Sequence, residues 1–176
     1  MVSGFARERL RPLAPGILLA LASIAFGFGL GIAFGAAEDD LKDHLHARAQ
    51  AVLESVYAGD ESQARPVVAK SWTYFKRAHL HANGLGTIAL AVSLLLALLG
   101  PPGVLARLSS FGLGAGALFY GVFWLLAGLR APALGSTSAA KESLDWLAIS
   151  SSGACVAGLA LTLICLIGAI FRPHRD

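Results

Sequence analysis

The chain has 176 residues, of which 56% are hydrophobic and 14% charged, and its mean hydropathy is +0.66. A soluble domain carries about 25% charged residues, so this composition excludes an ordinary water-soluble globular protein. The formal net charge of +3 comes from scattered basic residues, which excludes the clustered basic face of a nucleic-acid-binding protein.

The charges fall between long apolar stretches. No Asp, Glu, Lys, Arg or His occurs from Pro12 to Ala37, from Ala82 to Ala106, from Leu108 to Leu129, or from Trp146 to Phe171. Each stretch can cross a hydrocarbon core, which takes roughly 20 helical residues. The expected fold is an all-α integral membrane protein, a four-transmembrane-helix bundle in one domain. Its spans are expected at about 13–37, 82–100, 104–129 and 145–171, with an extramembrane helical hairpin over about 38–81.

Arg7, Arg9 and Arg11 precede the first apolar stretch. That stretch ends in Gly35-Ala36-Ala37, like a signal-peptide cleavage region. It is longer than a signal h-region of about 7–15 residues, so it is expected to stay as the first span. Arg107 lies between spans two and three, and Arg172 and Arg175 follow span four. The positive-inside rule places these three basic regions in the cytoplasm. Both termini are then cytoplasmic and the hairpin lies on the outer, periplasmic side. The expected location is a bacterial inner membrane.

Span one carries Gly27, Gly31 and Gly35 at four-residue spacing, and span three carries Gly112 and Gly116. Span four has Gly153 with Ala157, and Ala154 with Gly158. Such small-xxx-small stripes let helices approach closely in lipid. They serve either internal packing or the docking of a membrane protein partner or a second copy.

Glu38–Tyr57 contains no Pro or Gly, and Leu41, Leu45, Val52 and Val56 fall on one helical stripe. The first helix is expected to continue through it as an amphipathic arm. Ala58-Gly59-Asp60-Glu61-Ser62 reads as a break. Pro66 suits the first turn of the next helix, which is expected to run down into span two. Gly100-Pro101-Pro102-Gly103 ends that span. Arg130 to about Leu144, with Pro132 and Gly135, reads as a short outer loop. Lys141, Glu142 and Asp145 lie at its end, and Trp146 suits an interfacial anchor. Cys155 and Cys165 are about 15 Å apart along a helix, so they cannot bond to each other within it.

The tetrapeptide His-Leu-His-Ala occurs at His44–Ala47 and again at His79–Ala82. Histidine is the commonest side-chain metal ligand. With a hairpin turn centred near residues 61–63, His44 and His46 would stand level with His81 and His79. Residues i and i+2 point about 200° apart on a helix, so only half of this belt can face one centre. The expected site is His79 with His44 or His46, completed by Asp40, Asp43, Asn83 or His81. Such nitrogen and oxygen ligands suit zinc or copper. A haem b between two facing histidines is the alternative cofactor.

His79-Leu80-His81-Ala82-Asn83-Gly84-Leu85-Gly86 fits the pattern HxHxxxLG at the outer start of a membrane helix. This segment resembles one found in NnrS-type haem- and copper-containing membrane proteins and in relatives of the haem–copper oxidases. The resemblance covers eight residues and implies that His79 or His81 binds haem or copper.

No ionisable side chain lies within the four spans, which argues against ion-coupled transport by this chain alone. P-loop, GxSxG, HExxH and CxxC patterns are absent from the sequence, so an enzyme acting on its own is not expected. Two functions fit the sequence. One is a small membrane subunit or accessory of a redox complex, with metal or haem at its outer histidines. The other is a structural or assembly subunit that packs against a larger complex through its glycine-rich helices.

Overall fold

In the computed structural model, residues 4, 6–100 and 102–171 are described; Arg172 and Arg175, read above as orientation signals, lie outside them. After short helical turns at Ala6–Leu10 and Arg11–Leu13, the described residues form six α-helices. They are α1 (Ala14–Gln50), α2 (Leu53–Tyr57), α3 (Glu61–Leu98), α4 (Val104–Leu134), α5 (Thr137–Glu142) and α6 (Asp145–Ile170). No strand occurs among the described residues. α1, α3, α4 and α6 are long and apolar enough to cross a membrane.

α4 is the hub. It packs against α1, α3, α5 and α6, and α1 packs against α3, whereas α6 rests almost entirely on α4. Half of the most apolar stretch of α4 is buried, against 11% of that of α6. Accordingly Trp146, Ile149, Val156 and Ile167 stay exposed on α6, as do Leu18, Phe28 and Ile32 on α1. These are faces that lipid can cover without cost, because hydrocarbon tails are as apolar as the side chains.

Hydroxyls stitch the end of the bundle near the chain start. Ser109 on α4 donates to the carbonyl of Gly158 on α6 at 2.8 Å, and the Thr162 hydroxyl lies 2.7 Å from it. Ser93 on α3 donates to Ala89, and its oxygen lies 2.7 Å from the Ser110 hydroxyl of α4. Buried hydroxyls are thus paired, as a low-dielectric interior requires.

The opposite end departs from the expected hairpin. The backbone of Ala37 is non-helical (φ −144°, ψ 35°), so α1 kinks there and then continues to Gln50. The connection begins at residue 51, not near 58, and folds back through α2. Ala58 (φ 53°) and Gly59 (φ 77°) close it in left-handed conformations. α3 then starts at Glu61, because the Asp60 carboxylate accepts from the Ser62 amide at 2.8 Å. Two hydrogen bonds to this carboxylate, from Ser62 and Gln63, hold its pKa below the ordinary aspartate value. Pro66 therefore lies inside α3 instead of opening it.

The break at 51–52 also changes which side chains enter the core. Leu45, Ala49, Tyr57, Ala64, Val68 and Phe75 form one buried cluster, while Val56 of the expected stripe is exposed. Tyr57 donates to the carbonyl of Pro132 at 2.7 Å, tying the connection to α4. α4 also outruns the expected end of span three near 129, reaching Leu134 before Gly135 (φ 66°) and the Ser136 cap introduce α5.

Candidate functional site

α3 carries the second histidine pair between two neighbours. His79 faces α1, and His81 faces α4, as the 200° separation of i and i+2 demands. His79 Nδ1 lies 2.8 Å from the carbonyl oxygen of Gly27. A carbonyl only accepts, so Nδ1 carries the proton and, in the neutral ring, Nε2 keeps its lone pair. Asn83 donates from Nδ2 to the His79 carbonyl at 3.1 Å. Its 3.3 Å contact with Nδ1 then joins two donors and is no hydrogen bond. The Asn83 Oδ1 is buried without a partner.

Two glycines make room for this seam. A Cβ on Gly27 would lie 2.6 Å from the Asn83 side chain, and one on Gly31 would lie 2.8 Å from His79 Cε1. A side chain at either glycine would displace Asn83 or His79 from its present position. Ser23 donates to the carbonyl of Ala82 at 2.9 Å within the same seam. Phe34 meets the His79 ring edge-on, with centroids 5.9 Å apart.

The other side of α3 is aromatic. His81 stacks on Trp124 (6.0 Å, 17°) and meets Tyr120 edge-on (5.1 Å). Tyr74 meets Trp124 edge-on at 4.9 Å. The Arg77 guanidinium lies 4.8 Å from the Trp124 centroid and 5.6 Å from that of Tyr74, within the range of cation–π attraction. The face of Tyr74, Arg77 and His81 thus packs on α4, where the sequence pattern alone turns it outward.

The structure does not bring the four histidines to one level. His79 faces Gly31 and Asn83 faces Gly27, both pairs centred on residue 55. The Gln50–Glu61 hydrogen bond and the Phe34–Phe75 ring contact centre there too. The expected centre was 61–63. A shift of seven residues in the centre moves every cross-helix partner by fourteen, close to four turns. His44 then matches the level of residue 66, about 20 Å along α3 from His79. His44 and His46 are exposed, as are Asp40 and Asp43. Among the described residues no group of three or more His, Cys, Asp or Glu could hold a metal ion.

The glycine stripes are mostly consumed inside the fold. Gly27 and Gly31 face α3, while Gly112 faces the Ala154 carbonyl and Gly116 the Cys155 thiol and Ser151 carbonyl on α6. Gly35 faces open space, as do Gly29 on α1 and Gly153 on α6.

A cavity of about 380 Å³ lies beside the aromatic cluster, between α4, α5 and the first turns of α6. Tyr120, Phe123 and Trp124 line one wall; Lys141, Glu142 and Asp145 line another. Sequence reasoning placed these charges in a loop and missed the cavity. The available signal was the Tyr120–Trp124 spacing of four, which puts both rings on one helical face.

Comparisons of the chain with family models, with curated proteins and with solved structures find no match.

Proposed function

We propose that this protein is a non-catalytic subunit of a larger membrane assembly, with four spans, both termini cytoplasmic and the α1–α3 hairpin on the outer side. One observation carries the reading. After the fold has used Gly27, Gly31, Gly112, Gly116 and Gly158, a small-residue face stays open on α6, at Gly153 and Ala157. α6 rests almost entirely on α4. Close helix approach at such faces is a main source of association in lipid. The partner is a membrane protein that presents a complementary helix.

The depth fits. With Leu13 and Leu98 at the inner boundary, a core of about 30 Å is crossed in roughly 20 residues. Its outer boundary then falls near His79 on α3 and Trp124 on α4, while His44 and His46 stand clear of the bilayer.

The test is extraction of native membranes into lipid nanodiscs, followed by sizing. The expected protein mass per disc, with lipid and belt subtracted, is much larger than the 18.2 kDa chain, and Gly153→Leu with Ala157→Leu releases the chain from it. A wild-type chain recovered alone overturns the proposal. A complex containing only this chain replaces the partner with a second copy.

The bond from His79 to Gly27 favours a second reading. A histidine whose Nδ1–H is held by a carbonyl is oriented to ligate through Nε2. In that reading His79 is this chain's single ligand to copper, zinc or haem b, and the partner supplies the rest. The assembly would then be a redox complex, and the resemblance of residues 79–86 to haem- and copper-containing proteins points the same way. Metal analysis and the visible spectrum of the purified assembly test it: His79→Ala removes the metal or the Soret band, and a metal-free, colourless wild type sinks it.

A further inference from the structure

The cavity between α4, α5 and α6 has the chemistry of a binding site. Its volume of about 380 Å³ falls within the roughly 300–1,000 Å³ of small-molecule sites. Three charged residues line it, Lys141, Glu142 and Asp145. None of them forms an ion pair among the described residues, where the two pairs found are Lys42–Glu38 and Arg65–Glu61. Trp124, also in the wall, is 9% exposed, and its indole N–H is buried without an acceptor. One cation and two carboxylates, none of them ion-paired among the described residues, thus lie beside aromatic rings at the same opening.

We infer that this cavity holds the headgroup of an ethanolamine phospholipid. Lys141 meets the phosphate, and Glu142 and Asp145 accept from the primary ammonium, which offers three N–H donors. Tyr120 and Phe123 line the aromatic wall beside it. The faces of Trp124 are already engaged by His81 and Arg77. The lower wall turns apolar at Ile149, which is 70% exposed and continues into the lipid-facing side of α6. A headgroup seated among the charges therefore leaves its acyl chains along α6, which a free small zwitterion has no need to do. The depth agrees, because Trp124 lies near the proposed outer boundary. The inference rests on the proposed membrane placement and not on the partner: a protein that keeps its partner but shows no headgroup preference fails this inference alone.

The experiment is lipid competition read by native mass spectrometry. The full chain, in mild detergent, is mixed with equal amounts of dioleoyl phosphatidylethanolamine, phosphatidylcholine and phosphatidylglycerol. The ethanolamine lipid is expected to be retained at least fivefold over the other two. Glu142→Gln with Asp145→Asn abolishes that preference, and Lys141→Met weakens retention while Lys141→Arg preserves it. Both acids are exposed, so the double variant is expected to fold; the wild-type competition stands independently of any variant. Equal retention of the three lipids overturns the inference, as does a preference unchanged in the double variant. Displacement of the lipid by an equal concentration of soluble phosphoethanolamine overturns the lipid assignment and leaves a free phosphoammonium ligand.

Discussion

The two His-Leu-His-Ala copies are identical in sequence and opposite in structure. In the first, Leu45 is fully buried and His44 and His46 are exposed. In the second, Leu80 is 65% exposed, and His79 and His81 are partly buried against α1 and α4. The tetrapeptide has one polar–apolar–polar order, so helix propensity cannot account for the difference. The neighbours can. Beyond its kink, α1 buries Leu45 and Ala49 in a single cluster with α2 and α3. α3 lies between α1 and α4, so both histidine faces meet protein and the leucine face is left over. A histidine pair is therefore sheltered where protein covers both sides of its helix and solvated where it covers only the leucine side.

The leucines separate the copies most strongly. Leu45→Ala is expected to cost about 2–5 kcal/mol, the range for emptying a packed leucine site. Leu80→Ala should change stability by less than about 0.5 kcal/mol. Reversible unfolding in mixed micelles measures both, and equal effects would mean that the copies are packed alike.

The histidines should give a smaller contrast of the opposite sense. His79→Ala removes a part-buried hydrogen bond, while the Gly27 carbonyl keeps its helical bond from the Gly31 amide, so the expected cost is about 0.5–1.5 kcal/mol. His44→Ala leaves no buried partner unpaired and is expected to be close to neutral. Hydrogen exchange at residues 27–34 should rise in the first variant alone.

Coupling between the copies is the most direct check on the register. Residues about 20 Å apart along a helix pair should give additive stabilities within about 0.5 kcal/mol. A double-mutant cycle on His44 and His79 is therefore expected to show no interaction, with or without added zinc. Strong zinc-dependent coupling would restore the four-histidine belt.

The connection that sets this register has its own, smaller signature. The Asp60 pKa is lowered by its bonds to Ser62 and Gln63. A lowered carboxylate pKa contributes stability above the unfolded value, about 3.9, and loses it as pH falls through the folded value. Amides 61–63 should thus exchange faster, relative to a peptide of the same sequence, as pH drops below the ordinary aspartate range. Asp60→Asn, which keeps a capping oxygen, should flatten that dependence.

Charge-free stretches and Pro-Gly breaks were enough to locate four long apolar helices, because the cost of a charge in hydrocarbon acts residue by residue along the chain. The opposite pointing of His79 and His81 was legible too, since helical phase is local. The kink at Ala37 and the break at 51–52 were not legible, as nothing between Glu38 and Tyr57 is a Pro or a Gly. Val56 gave way to Tyr57 in the core because Tyr57 can bond the Pro132 carbonyl of a helix 75 positions away.

The sequence by itself determined the number and approximate position of the long apolar helices. Tertiary structure alone decided their register, and with it whether two like tetrapeptides meet. Register depends on where a connection turns, and each residue of error there is doubled across the pair. The cavity at Lys141, Glu142 and Asp145 was likewise decided only when α5 folded over the aromatic face of α4, because its walls come from three helices and no single stretch of sequence contains it.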